Sequence, residues 1–290
     1  MKAEQAKKLA DQALESLAAA LEQGQSDAMK TFLAAVSRFH RYSFGNIMLI
    51  ASQKPDATRV AGFQTWKSLG RFVKKGEKGI VIIAPMVLRR KDESDSRNAE
   101  GEDRTILRFR AVYVFDASQT DGTPLPEPAS ASGDPTGYID RLKAFVSARG
   151  ISLEYLSDLD ATVQLGNADG ASYGGKIALR ADLPPAESFS VLVHELAHEM
   201  LHRTDKDKRP SKTVRETEAE SVAFVVSQAI GLETTTAASD YIQLYAGDKE
   251  TLAASLARIQ NTATAILQAL AEKQGGEVDS ESEDVPCLAA

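Results

Sequence analysis

The sequence predicts an α+β protein built as two domains, and three observations carry that expectation. Helical and strand-like periodicities follow one another irregularly along the 290 residues, without the regular strand–helix repeat of a parallel α/β sheet. Residues 120–134 (TDGTPLPEPASASGD) hold three prolines among small polar residues, which is linker composition. The charge changes sign across that stretch: residues 1–115 carry a net +7 and residues 116–290 a net −14. We therefore expect a basic domain over 1–120, a linker over 121–134, an acidic domain over 135–274 and a disordered acidic tail over 275–290.

The elements follow in order. Leucine and alanine at helical spacing predict a helix over 3–21 with Gly24 as its stop, and a second runs over about 27–39. Ser43 suits the N-cap of a third, to about 51, and Thr65 caps a short helix carrying Trp66. The turn 76–79 (GEKG) leads into a strand over 80–88. A polar loop follows at 91–103, then a returning antiparallel strand at 105–115. Beyond the linker we expect a helix over 136–149, strands near 151–155, 161–165 and 175–180, helices over 186–203 and 213–230, and more helix over 237–272.

Composition narrows the function. Hydrophobic residues at 43% and charged residues at 26% give enough apolar chain for a core. No apolar run reaches the ~18 residues of a membrane span, the N-terminus lacks a signal peptide's pattern, and the chain reads as cytoplasmic, with no membrane partner. The single cysteine, Cys287, excludes an internal disulfide and a multi-thiolate metal site.

The sharpest motif is His194-Glu195-Leu196-Ala197-His198 within the apolar helical stretch SVLVHELAHEMLH. Residues four apart on a helix share a face about 6 Å apart along the axis, so both imidazoles can reach one ion. Glu195 sits where it can take a proton from a water beside that ion. A third ligand must come from His202 or the acidic run Glu216, Glu218, Glu220. Glu216 and Glu220 share one face of a helix, and Glu218 lies on the other. His202 stands about 12 Å along the axis from His194, so Glu216 is the preferred ligand, with Glu220 accepting from a ligand histidine N–H. Zinc is the expected metal, with manganese or cobalt as alternatives. The arrangement resembles zincins of the Glu-x-x-Ala kind. Tyr173, just before the strand at 175–180, is a candidate for stabilising an oxyanion, and that strand offers a peptide an edge.

The basic domain concentrates its charge: residues 38–91 hold twelve Lys or Arg and two acids, interleaved with aromatics. Bases stack on aromatic rings while lysine and arginine neutralise phosphates, which suits single-stranded nucleic acid. Tyr42, Trp66, Arg71, Lys74, Lys75 and Lys78 are the contact candidates, and Phe44 and Phe63 read as core.

FHRYSFGNIMLIASQKPDATRVAGFQTWKSLGRFVKKGEKGIVIIAP, VYVFDASQT, and VHELAHEMLH with RETEAESVAF together resemble the ArdC antirestriction family. The resemblance implies a single-stranded-DNA-binding domain followed by a zincin-like metalloprotease domain with an HExxH helix. It also implies protection of incoming mobile-element DNA from restriction, with a protein substrate that stays unknown. Residue by residue it makes His194, Glu195 and His198 the active-helix positions and Glu216 the third ligand. Tyr42, Asn46, Trp66 and Lys74, Lys75 and Lys78 fall in its DNA-binding motif. A DNA-coating protein with a purely structural metal, and a peptidase independent of DNA, are the rival readings.

Overall fold

The computed structural model describes residues 2–89, 105–125, 135–203, 210–232 and 249–271. The loop expected at 91–103, most of the linker and the acidic tail lie outside them. The protein is mixed α+β, and its chain divides into two units. The first takes Met1–Leu14 and Arg41–Leu125, and the second Glu15–His40 with the described residues of Pro126–Ser282. The division falls inside helix α1 (Ala3–Glu22), and α2 (Ser26–Phe39) clusters with the second unit, although it precedes the basic run in sequence. The reason is its apolar face: Met29, Phe32, Leu33 and Val36 are buried, and α2 packs on a helix of the second unit, α8 (Lys212–Ala229).

In the first unit, α3 (Phe44–Gln53) precedes β1 (Val60–Gly62), α4 (Phe63–Ser68) and β2 (Arg71–Val73). A long antiparallel hairpin follows, β3 (Ile80–Arg89) and β4 (Thr105–Asp116), and β1 joins its far side to give the order β1-β4-β3. A short strand, β5 (Thr120–Gly122), pairs with β2. Val81 packs with Ala6 of α1 and Leu49 of α3, flanked by Leu9, Ala10, Ile83 and Ala111. Since β3 is an edge strand, its outward backbone groups need partners. Two amides of α3, seven residues apart on one face, supply them. Asn46 donates to Ile83 O and accepts from Ile83 N, both at 2.8 Å; Gln53 donates to Val81 O at 2.9 Å and accepts from Val81 N at 3.0 Å.

The second unit contains α5 (Thr136–Ala148), β6 (Ser152–Leu156), α6 (Asp158–Leu165), β7 (Gly170–Ser172) and β8 (Lys176–Arg180). Helices α7 (Pro185–His202), α8 and α9 (Lys249–Ala271) complete it. Its sheet runs β6-β8-β7, with β6 parallel and β7 antiparallel to β8. Two expectations change here. The strand near 161–165 is part of α6, and the strand 176–180 is central, paired on both sides, so β6 and β7 are the edges. Helix α7 starts with Pro185 at its first position, where the missing N–H costs nothing. It packs on β7, β8 and α8, its face of Phe189, Leu192, Val193 and Leu196 wholly buried.

Candidate metal centre

Helix α7 presents His194 and His198 one turn apart, and α8 brings Glu216 against them. The two Nε2 atoms lie 3.1 Å apart, and Glu216 Oε2 is 3.5 Å from the first and 3.4 Å from the second. Ligands about 2.05 Å from a tetrahedral ion stand ~3.3 Å from one another, so these three atoms form a face of such a polyhedron. Two imidazoles and one carboxylate, with an open side toward a cavity, suit a divalent ion of zinc or manganese type. The cavity measures about 550 Å³ and is lined by the triad, Glu195, Arg215, Glu220 and the strand β7.

The charges are mutually adjusted. The adjoining His194 and His198 rings hold the Glu216 carboxyl far below the usual range. Burial works against a charged His194, but Glu216, Glu195 and Glu220 outweigh it, and its pKa is raised. Burial pushes the Glu195 carboxyl up, partly countered by His194 and His198. Such a carboxyl, beside the triad but outside its triangle, is placed to accept and return a proton.

Local sequence explains this close assembly. A Cβ at Gly170 would fall 2.7 Å from Val191 Cγ1, 2.8 Å from Leu179 Cδ2 and 3.1 Å from Glu195 Cγ. Only glycine lets β7 lie so near the motif. Glu199, buried on α7, accepts from Gly174 N and Gly175 N, each at 2.7 Å, and so ties the β7–β8 turn to the same helix. Both glycines have positive φ, the conformation that turn demands.

Other expected residues sit differently. Tyr173 is 52% exposed and absent from the cavity lining, so the structure gives it no place opposite the triad. Glu220 lines the cavity, but the outer nitrogen of His198 faces His202 instead, at 3.1 Å. His202 is no third ligand; it is buried against Glu218. Sequence reasoning passed over Glu199 and Arg215, and weighed Glu218 only as a ligand. Arg215 lines the cavity, and among the described residues its Nε is buried without a hydrogen-bond partner. The signal for Glu218 lay in the sequence, as a second acid in the run and a third histidine on the stripe, both then read as competitors for the ion.

In the first unit, several expected DNA contacts are structural. Trp66 is 2% exposed and donates from Nε1 to Phe115 O at 2.8 Å. Asn46 is 1% exposed and committed to β3. Arg71 spends its guanidinium on Thr120 Oγ1, Thr120 O and Thr123 O, tying β2 to β5. Tyr42, half-buried, donates to Val60 O at 3.4 Å. Lys74, Lys75 and Lys78 remain exposed, Lys74 reaching Ser118 O and Asp121. Phe63, expected in the core, is exposed, as are Phe72, Phe109 and Tyr113.

Residues 3–115 match the N-terminal domain of anti-restriction factor ArdC. Two solved structures of the antirestriction ArdC protein from plasmid R388 superpose on the chain with a TM-score of 0.52. The metal-free one is 20% identical and covers 91% of this chain and 98% of its own; the Mn(II)-bound one is 19% identical and covers 92% and 99%. Residues 3–115 are of the ArdC N-terminal type. That assignment rests on the sequence match at 3–115; beyond it, the likeness to R388 ArdC is one of fold. An uncharacterized Bacillus anthracis protein is 25% identical over 276 residues, covering 82% of this chain and 47% of that protein, so this chain spans about half its relative's length. Among the described residues, no helix is long and apolar enough to cross a membrane.

Proposed function

We propose that this chain is an antirestriction protein that holds single-stranded DNA on its first unit and carries a divalent-metal peptidase site of zincin type on its second. The observation that carries the second half is the 3.1, 3.4 and 3.5 Å triangle of His194, His198 and Glu216 facing a cavity. A divalent ion held there supplies Lewis-acid activation of a water and of a substrate carbonyl. Glu195 takes the proton of the attacking water and returns it to the leaving amine. The edge strand β7 offers its backbone to an extended peptide, a role expected of the strand after it. Arg215, the cation in the cavity lining, replaces Tyr173 as the group available to a carbonyl oxygen. For DNA, exposed Lys74, Lys75 and Lys78 supply charge, and exposed Phe63, Phe72, Phe109 and Tyr113 supply faces on which bases stack. Fold likeness to Mn(II)-bound R388 ArdC supports a divalent ion, with zinc and manganese both compatible with the donors.

The test is metal analysis of the purified chain with a proteolysis assay, with and without single-stranded DNA, on wild type and Glu195→Gln. We expect about one equivalent of divalent metal in both proteins, and hydrolysis lower by about 100- to 10,000-fold in the variant. Equal hydrolysis in the two would remove Glu195 from the chemistry. Intact DNA protection by Glu195→Gln would make the protein a strand-coating one whose metal serves the fold.

A further inference from the structure

The stripe of imidazoles on α7 does not stop at the triad. His198 turns Nε2 to the triangle, and its Nδ1 lies 3.1 Å from Nδ1 of His202. His202 Nε2 lies 2.9 Å from Glu218 Oε2, and the other oxygen of Glu218 accepts from Arg258, which also donates to Ser255 Oγ at 2.9 Å. His202 is 4% exposed and Glu218 wholly buried.

The contacts set a proton order along this chain for neutral rings. A carboxylate only accepts, so Nε2 of His202 carries a proton. With that proton spent on Glu218, the Nδ1 of a neutral His202 ring has only its lone pair to offer a neighbour. A bare nitrogen 3.1 Å from another ring nitrogen requires the proton on His198 Nδ1. The lone pair of His198 is then left on Nε2, aimed at the triangle.

We propose that His202, anchored by Glu218 and Arg258, is a positioning residue that fixes the metal-binding tautomer and ring orientation of His198. This rests on reading His194, His198 and Glu216 as ligands. It differs from the usual arrangement, in which a carboxylate or carbonyl accepts directly from the ligand histidine, because a second imidazole is interposed and the carboxylate is reached only through it.

The experiment uses the full chain stripped of metal and titrated calorimetrically with Mn(II) and Zn(II). It is joined to long-range ¹⁵N–¹H correlation spectra of ¹⁵N-histidine-labelled protein, whose four histidines make assignment tractable. We expect wild-type His198 to carry its proton on Nδ1 before metal is added. His202→Phe, similar in size but without nitrogen, should bind metal about 10- to 100-fold more weakly, with His198 in mixed tautomers. His202→Gln, whose side-chain oxygen can accept from Nδ1, should recover most of the affinity. A merely structural role would not change the tautomer or be rescued this way. Wild-type His198 protonated on Nε2, or His202→Phe and His202→Gln both binding metal as wild type does, overturns the proposal. The wild-type spectrum decides it even if His202→Phe does not fold. Glu216→Ala separates the two layers: unchanged metal affinity in that variant refutes the ligand reading itself, whereas its loss alongside unaffected His202 variants refutes only the positioning role.

Discussion

Asp116 holds the turn at the end of β4 by accepting from Thr58 N at 2.7 Å, Arg59 N at 3.0 Å and Ser118 N at 2.9 Å. Burial works to raise its pKa, but these hydrogen bonds outweigh it and hold the carboxyl below the ordinary value. Because its folded pKa is the lower one, its contribution is complete above the unfolded value of ~3.9 and is lost as pH falls through the folded value. Asp116→Asn should lower stability by about 2 kcal/mol at pH 7, and the gap to wild type should narrow below pH ~4. Urea unfolding followed by fluorescence of Trp66, the sole tryptophan, reads this unit directly. At this scale, residue type was a poor guide to role. Trp66 and Asn46 look like base-binding groups in sequence, yet each satisfies a buried backbone group, which depends on partners 49 and 37 positions away.

Among elements, long periodic segments were legible: α1, α2, α3, α7, α8 and the β3–β4 hairpin fall where apolar spacing puts them. The failures are short elements. Residues 161–165 (ATVQL) have strand-like composition, but Ser157 with Asp158 and Asp160 starts a helix there, and Val163 is exposed, so its apolar side chain reports no burial. Strands β1, β2, β5 and β7 span three residues each, too few for any period to register. The pairing of His194 with His198 was legible because the two lie one turn apart; their outer partners were not, because they depend on how α7 meets α8 and α9. Gly170 belongs to this scale too. Gly170→Ala should force β7 away from α7, lowering stability by about 1–3 kcal/mol and reducing hydrolysis while the triad still binds metal, as calorimetry with Mn(II) and a paired activity assay would show.

For the whole molecule, the opposed charges of the two halves bear on nucleic acid. A polyanion bound by the basic half releases counterions, so affinity falls with salt. Replacing Lys74, Lys75 and Lys78 together by alanine should flatten the plot of log affinity against log salt by about 2, at ~0.7 per phosphate contact on a single strand. Filter binding of an oligonucleotide across a salt series measures it, and an unchanged slope would move the phosphate path elsewhere. This property was readable in the sequence, since net charge needs no knowledge of folding, whereas the sorting of aromatics into buried and exposed does.

The brevity of β7 has its own consequence. A backbone laid along three residues gains few hydrogen bonds, each worth about 1 kcal/mol net, and so adheres only at millimolar levels. Such a short rail is indifferent to what side chains pass over it and nearly blind to freely diffusing polypeptides. Selectivity in a cell crowded with other proteins must then come from local crowding, from whatever brings a target close enough to raise its effective concentration.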